Sequence, residues 1–435
     1  MLSHTPSVPS LGPGSPTRIR FRLTTQSLIR LFVCLHALAL FALPKDSWGL
    51  TSYRPEDITG VMLLVLFGVL AASGSLRLPS RSLATIVALY ASYFLLVLVL
   101  HDLPRGYVAM VVFLAKELSY VAFGYLVWRA YRTAPGDFVA VVVLLSLPNI
   151  VFGVSQLFGT MLGEYGVAPF GHLASPASAG MMYFAYAVVL FIWRGQGRHG
   201  KLSSLLLGVA VVLLLASGSK VAVVGALSFF GWYWLLSAVQ RPTLRSFVTI
   251  GVFVVTSVVM LALATVAGLQ GYASTGLGRY LGFLDPWDTL RNRGIWWKLD
   301  WINDPVSIFV GAGYSPGHLT PDQVVSYGMA MDNQALYYLV TGGTVGLAFY
   351  VILMAALYRV TPPTTFEGRT LRALVVSYCL MGAGAEVLQL SVHGNVFWMM
   401  VALCLAMSPR ATPALASTVV ETAAGVAPNR LVSAT

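Results

Sequence analysis

Apolar residues along this chain come in long unbroken runs, separated by polar segments that are mostly short. Runs of about 20 apolar residues match the hydrocarbon thickness of a bilayer. Water is absent at that depth, so backbone groups must be satisfied within helices or closed barrels. Continuous runs exclude a barrel, whose strands would alternate between lipid-facing and lumen-facing residues. The pattern predicts an all-α polytopic membrane protein. Its twelve spans are expected at 26–43, 58–76, 82–100, 106–128, 138–160, 177–193, 202–217, 220–239, 246–267, 333–358, 370–390 and 393–409.

One polar segment breaks the regularity. Residues 268–332, between spans 9 and 10, form the longest loop, and loops of that length are usually functional or disordered. This one carries Trp287, Trp296, Trp297, Trp301, Tyr272, Tyr280, Tyr314 and Tyr327, a composition that argues against disorder. The expected organisation is a disordered tail over 1–22, spans 1–9 over 23–267, an ordered cap over 268–332, spans 10–12 over 333–409, and a second tail over 410–435. No internal repeat and no matched pair of interrupted helices is visible, features that an inverted-repeat transporter would favour.

Composition agrees with the pattern: 57% of the 435 residues are hydrophobic and 10% charged, against roughly 25% charged in soluble domains. Mean hydropathy is +0.77. The net charge of +11 is mainly a topology signal. Arg77, Arg81, Arg129, Arg132, Arg194, Arg198, Lys201, Arg359, Arg369 and Arg372 all fall on one side of the alternating spans, which predicts cytoplasmic termini and an extracytoplasmic cap. No basic patch lies on an identifiable soluble fold, so nucleic acid is not an expected partner. Cys34, Cys379 and Cys404 lie within apolar spans at spacings that suit packing, not a disulfide framework or metal site. The first span resembles a signal-peptide core with Ala37-Leu38-Ala39 as cleavage pattern, but Arg30 interrupts it, and it is expected to stay as an uncleaved helix.

Candidate chemistry gathers around the cap. In "RNRGIWWKLDWINDP" a helix would place Arg293 and Asp300 on nearly the same face, flanked by Trp296 and Trp297. Such a helix also suits the headgroup level of a membrane, where tryptophans collect. The stretch "MDNQALYYLVTGGTVG" follows. A straight helix from Asn333 to Tyr358 would be about 39 Å long, against about 30 Å of hydrocarbon, so its start reaches the outer interface or the helix tilts. Positions 332, 336, 339, 343, 346 and 350 share one face, which puts Asp332 above Gly343 and Gly346, where a neighbouring helix can approach closely. A helix cap is the plainer role for Asp332 or Asn333. In "ASGSKV" a lysine, Lys220, opens a helix against the helix dipole, which suggests a functional or ion-paired charge, or one that snorkels. Lys116, Glu117 and Glu386 lie inside spans, where ionisable groups need partners. Adjacent residues on a helix diverge, so Lys116 and Glu117 require separate partners, and Lys116–Glu386 is one candidate pair. His172, His318 and His393 show no metal-ligand spacing.

Taken together, these stretches resemble the O-antigen ligase and O-antigen polymerase family. Its members have about twelve spans, a large periplasmic loop before a late span, and a His-Asn/Ser/Gln motif followed nine residues later by Gly-x-x-Gly. Here Asp332-Asn333 precedes Gly343-Thr-Val-Gly346 at that spacing, with Asp in place of His. "RGIWWKLDWINDPVSIFVGAGY" is similar to the family's Arg-x-x-Trp stretch leading to a Gly-x-Gly turn, and "SGSKVAVVGAL" to its Ser-Arg helix start, with Lys220 for Arg. The resemblance covers roughly 205–358.

The resemblance implies a C-type, metal-independent glycosyltransferase of the bacterial inner membrane, without a cofactor. It would move a glycan from an undecaprenyl-diphosphate carrier to an acceptor at the periplasmic face. The Asp-for-His difference favours a polymerase of surface polysaccharide over a ligase to lipid A core or protein. A chain-length regulator and a flippase of the same pathway, with membrane lipids, are the implied partners. Arg293 and Lys220 would stabilise diphosphate charge. Asp332 would act as base or orient the acceptor, and Asn333 would hold a sugar hydroxyl. Arg279 and Arg291 are further phosphate candidates, and Trp296 and Trp297 would stack on sugars. From another class, a transporter or flippase of a lipid-linked or anionic solute would instead use Lys116, Glu117 and Glu386.

Overall fold

The structure is a computed structural model that describes residues 24–42, 55–100, 107–162, 176–197, 200–217, 219–240, 304–312, 333–384 and 391–408, with a few single positions between them. The two tails, nearly all of the ninth expected span and most of the cap, with Arg279, Arg291, Arg293, Trp296, Trp297 and Asp332, lie outside the described residues. So do Glu386, His172 and His318.

All the described secondary structure is helical. The helices are α1 (Thr25–Phe41), α2 (Pro55–Ala72), α3 (Arg81–Leu100), α4 (Tyr107–Tyr131), α5 (Pro135–Leu162), α6 (Pro176–Gly195), α7 (Gly200–Ala216), α8 (Lys220–Gln240), α9 (Pro305–Val310), α10 (Gln334–Arg359), α11 (Phe366–Gly382) and α12 (Ser391–Met407). Apart from the short α9, each coincides with an apolar run. Four of them, α2, α5, α8 and α10, are long and apolar enough to cross a membrane, while α1, α3, α6, α7 and α12 are shorter apolar helices. Their outward faces carry exposed Val61, Val65, Leu96, Val99, Leu144 and Val151. Such an apolar exterior suits lipid rather than water. The chain is an all-α, membrane-embedded protein.

Alternating helices bring the starts of α1 and α11 and the ends of α2, α4 and α8 to one basic end of the bundle. At that end Gln26 of α1 donates to the Ala130 carbonyl at the close of α4 (2.8 Å). Arg129 donates to the Ser75 carbonyl after α2 (2.6 Å), and Arg369 of α11 to the Gln240 side chain at the end of α8 (2.8 Å). Close helix contacts use missing side chains, as expected where lipid is no better solvent for one apolar surface than for another. A Cβ on Gly124 of α4 would lie 2.7 Å from the Trp398 carbonyl, and one on Gly394 of α12 2.4 Å from the Tyr120 ring. These reciprocal notches let α4 and α12 pack along their length.

Helix α10 departs from the straight rod expected of its sequence. Gly343 sits at φ 63°, ψ −163°, outside helical space, a conformation that favours glycine. The two halves, 334–342 and 344–359, fold back against each other there. Tyr338 and Tyr350 stack with centroids 5.0 Å apart, although twelve residues of straight helix would separate them by about 18 Å. A Cβ on Gly346 would lie 2.8 Å from the Tyr338 carbonyl oxygen. The shared face over 336, 339, 343, 346 and 350 is largely buried, but it closes on itself at the bend.

Candidate functional site

The bend in α10 frees carbonyl groups, and other parts of the fold satisfy them. The Val340 oxygen accepts from the Ala312 N–H (2.7 Å), and the Gly342 oxygen accepts from the Tyr93 hydroxyl of α3. Tyr93 also reaches the Val310 carbonyl (3.4 Å). The turn that ends the cap's helix α9 is thus seated on the bend. Gly311, at φ 86°, makes the turn possible. Helix α9 itself begins with Asp304 as N-cap, whose carboxylate accepts from the Val306 and Ser307 N–H groups (2.9 and 3.1 Å). The Ser307 hydroxyl and these amides hold the Asp304 carboxyl below its ordinary value.

At the other end of the first half-helix, Asn333 is the N-cap. Its amide oxygen accepts from the Leu336 N–H (2.9 Å), and its amide nitrogen donates to the Ala383 carbonyl beyond α11 (3.1 Å). The plainer of the two readings of this residue, a cap, is therefore realised, and the cap is tied to the end of α11. Buried Gln334 accepts from the Leu388 N–H (2.8 Å) in the same connection. The start of α8 meets that place too: a Cβ on Gly384 would lie 3.9 Å from Val221. Lys220 is the first residue of α8, as the sequence predicts. The tight turn before it is packed onto α6, where a Cβ on Gly180 would lie 2.3 Å from the Ser219 Cβ.

Residues 383–384 are thus the meeting point of two helix starts, the "SGSKV" start of α8 and the "DNQ" start of α10. Unpaired N–H groups and the dipole make helix starts favourable places for anions. The third stretch, ending in "VGAG", closes on the far end of the same half-helix at the Gly343 bend. Sequence segments far apart in the chain come together around residues 333–343.

Beside this half-helix lies a buried polar cluster. Glu117 of α4 accepts from the Tyr90 hydroxyl of α3 and from the Tyr337 hydroxyl of α10 (2.9 Å for the latter). Lys116 pairs instead with Asp57 of α2 at 3.1 Å. The expectation of separate partners for Lys116 and Glu117 holds, while the suggested partner Glu386 lies outside the described residues. His36 of α1 bonds Thr59 through Nδ1 (2.8 Å) and Asn395 of α12 through Nε2 (3.1 Å). His36 and Asn395 are fully or almost fully buried. Sequence reasoning missed Asp57, Tyr90, Tyr337, His36 and Asn395. A histidine inside the apolar run "CLHALAL" was the one visible signal.

Among the described residues no three His, Cys, Asp or Glu side chains gather as a metal-binding group. Cys34, Cys379 and Cys404 are free thiols. No protein-family model matches the chain, and no curated protein matches it.

Proposed function

We propose that the protein is a polysaccharide polymerase of the bacterial inner membrane, transferring a glycan from an undecaprenyl-diphosphate carrier to a lipid-linked repeat unit at the outer face. The observation that carries this reading is the convergence of the α8 start at Lys220 and the α10 start at Asn333 on residues 383–384. Those starts belong to two of the stretches that resemble the family's motifs. The third is joined to the same half-helix through Gly311.

In this mechanism the acceptor hydroxyl oxygen bonds to the anomeric carbon. The bond from that carbon to the diphosphate breaks, and the diphosphate stays on the lipid carrier. Asp332, next to the Asn333 cap, takes the hydroxyl proton as general base. Lys220 and Arg293 stabilise the charge left on the diphosphate, and losing such a preorganised group typically costs about 10²–10³ in rate. Arg279 and Arg291 bind further phosphate oxygens, while Trp296 and Trp297 stack on sugar rings. Asn333 caps α10 and ties its start to the end of α11. The chemistry asks for no metal. Pairing of Lys116 with Asp57, and of Glu117 with two tyrosines, supports a scaffold role for these charges rather than a transport path.

The test is surface polysaccharide and its lipid-linked precursors in a deletion strain complemented with wild type, Arg293→Ala, Asp332→Ala or Glu386→Gln at matched protein levels. Loss of long glycan with accumulation of lipid-linked single repeats in the first two variants is the expected result. Accumulation of long lipid-linked chains would identify a ligase. Normal polymer in both, with loss only in Glu386→Gln, would overturn the site and point to transport.

A further inference from the structure

A groove of about 740 Å³ opens on the side of the bundle between α2, α3, α4 and α12, with Val87, Val121 and Trp398 standing between it and the polar cluster around Glu117. Phe67, Val87, Ala88 and Val401 are among its walls, so its surface is almost wholly apolar. The size falls within the roughly 300–1,000 Å³ usual for small-ligand sites. Its polar features are confined to the basic end of the bundle. There Ser80 and the exposed Arg81 line the mouth, and Arg77 stands one turn of chain earlier.

A second observation concerns Trp128, which also lines the groove. Trp128 is 4% exposed, and its indole N–H has no hydrogen-bond partner among the described residues. Buried indole N–H groups usually find an acceptor, and leaving one unmet is costly. Trp128 lies one turn from the end of α4, and Arg132 stands over its ring at 5.8 Å. Tyr125 and Arg129 next to it are already bonded to each other (3.2 Å), so the unmet donor is the indole.

We infer that this groove is a binding site for one anionic phospholipid of the leaflet at the basic end. An acyl chain fills the apolar groove, the phosphate pairs with Arg81, and the Trp128 indole, whose N–H is closed off in this structure, turns to donate to an ester oxygen. A zwitterionic lipid would offer the same chain and ester but would set its own cation beside Arg81. The inference does not depend on the proposed glycan transfer, since none of these residues belongs to that site.

Native mass spectrometry of the purified full chain tests it, with phosphatidylglycerol, phosphatidylcholine or a long-chain prenyl phosphate added during stepwise detergent washing. One phosphatidylglycerol per chain is expected to survive washing that strips phosphatidylcholine. Arg81→Gln should weaken retention about fivefold, the effect of one basic residue at a membrane surface. Ala88→Trp, an exposed position on the groove wall, should block the chain while leaving the fold intact. Trp128→Phe should give a smaller loss. Equal retention of both lipids, or unchanged retention in both Arg81→Gln and Ala88→Trp, would overturn the inference. Preferential retention of a long-chain prenyl phosphate would overturn it as well, by assigning the groove to the carrier.

Discussion

Gly311 and Gly343 meet in a contact that leaves no room for a side chain on either. A Cβ on Gly343 would lie 2.2 Å from the Phe309 carbonyl oxygen and 2.6 Å from the Gly311 nitrogen, and one on Gly311 would lie 2.5 Å from the Thr341 carbonyl. Both residues also have positive φ. One contact therefore sets the fold-back of α10 and the seat of the cap's last turn.

Gly343→Ala is expected to destabilise the protein by about 1–3 kcal/mol from backbone strain alone, and by more from the clash with Phe309. Thermal unfolding in detergent measures it. Gly208→Ala in α7, where nothing lies within 4 Å of the added methyl, is the control and should change stability little. Equal melting temperatures for the two variants would refute the role given to the bend.

Tyr337→Phe and Tyr90→Phe each remove one donor from Glu117. Leaving a buried acceptor short of one donor costs about 1–3 kcal/mol, so each variant should lose stability in that range. Glu117→Ala should lose at least as much, and a double-mutant cycle with Tyr337→Phe should show strong coupling. Were Glu117 a transport residue, Glu117→Gln would abolish function at unchanged stability.

The Lys116–Asp57 pair is only partly screened from the surface, with side-chain exposures of 29% and 14%. Removing one partner inside a span leaves the other charge uncompensated, so each single variant is expected to lose more stability than the double variant. Lys116→Met should be tolerated better in an Asp57→Asn background than alone. Expression level and melting temperature of the four proteins in the cycle give the comparison.

Asp304 holds α9 through its ionised carboxylate, so its contribution is complete at neutral pH and is lost as pH falls through its lowered folded-state value. Amide exchange at Val306 and Ser307 should speed up only below the ordinary carboxylate range. Asp304→Asn, still a good cap, should remove that pH dependence while keeping protection, whereas Asp304→Ala should lose protection at every pH. Exchange in Asp304→Ala as slow as in wild type would contradict the capping role.

How legible all this was depended on the range of each interaction. Apolar runs reveal helices because a bilayer demands them locally, and most described helices fall on expected spans, although α10 folds back within its own, α11 ends at Gly382, and nearly all of the ninth span lies outside the described residues. The Gly342-Gly343 pair was visible, but a buried periodic face fits a straight helix and a folded one equally well. The bend is decided by Phe309, Gly311 and Tyr93, which belong to other elements. Likewise Asp57, at the edge of its span, gave no sign that it would meet Lys116. His36 and Asn395 pair across almost the whole chain. Lys220 and Asn333 were recognisable as helix starts, and their common neighbour at residues 383–384 was not.

The fold-back of α10 also changes what the surrounding lipid must do. Only residues 344–359 descend toward the basic end, a stretch of about 24 Å beside a hydrocarbon layer of about 30 Å. Hydrophobic mismatch of this kind is relieved when the bilayer thins or its polar boundary dips locally. In the proposed glycan transfer, a diphosphate carried on a lipid would then come to the Asn333 end without first leaving the membrane. Activity in bilayers of shorter acyl chains should match or exceed that in thicker ones, and the opposite order would show that the membrane keeps its full depth there.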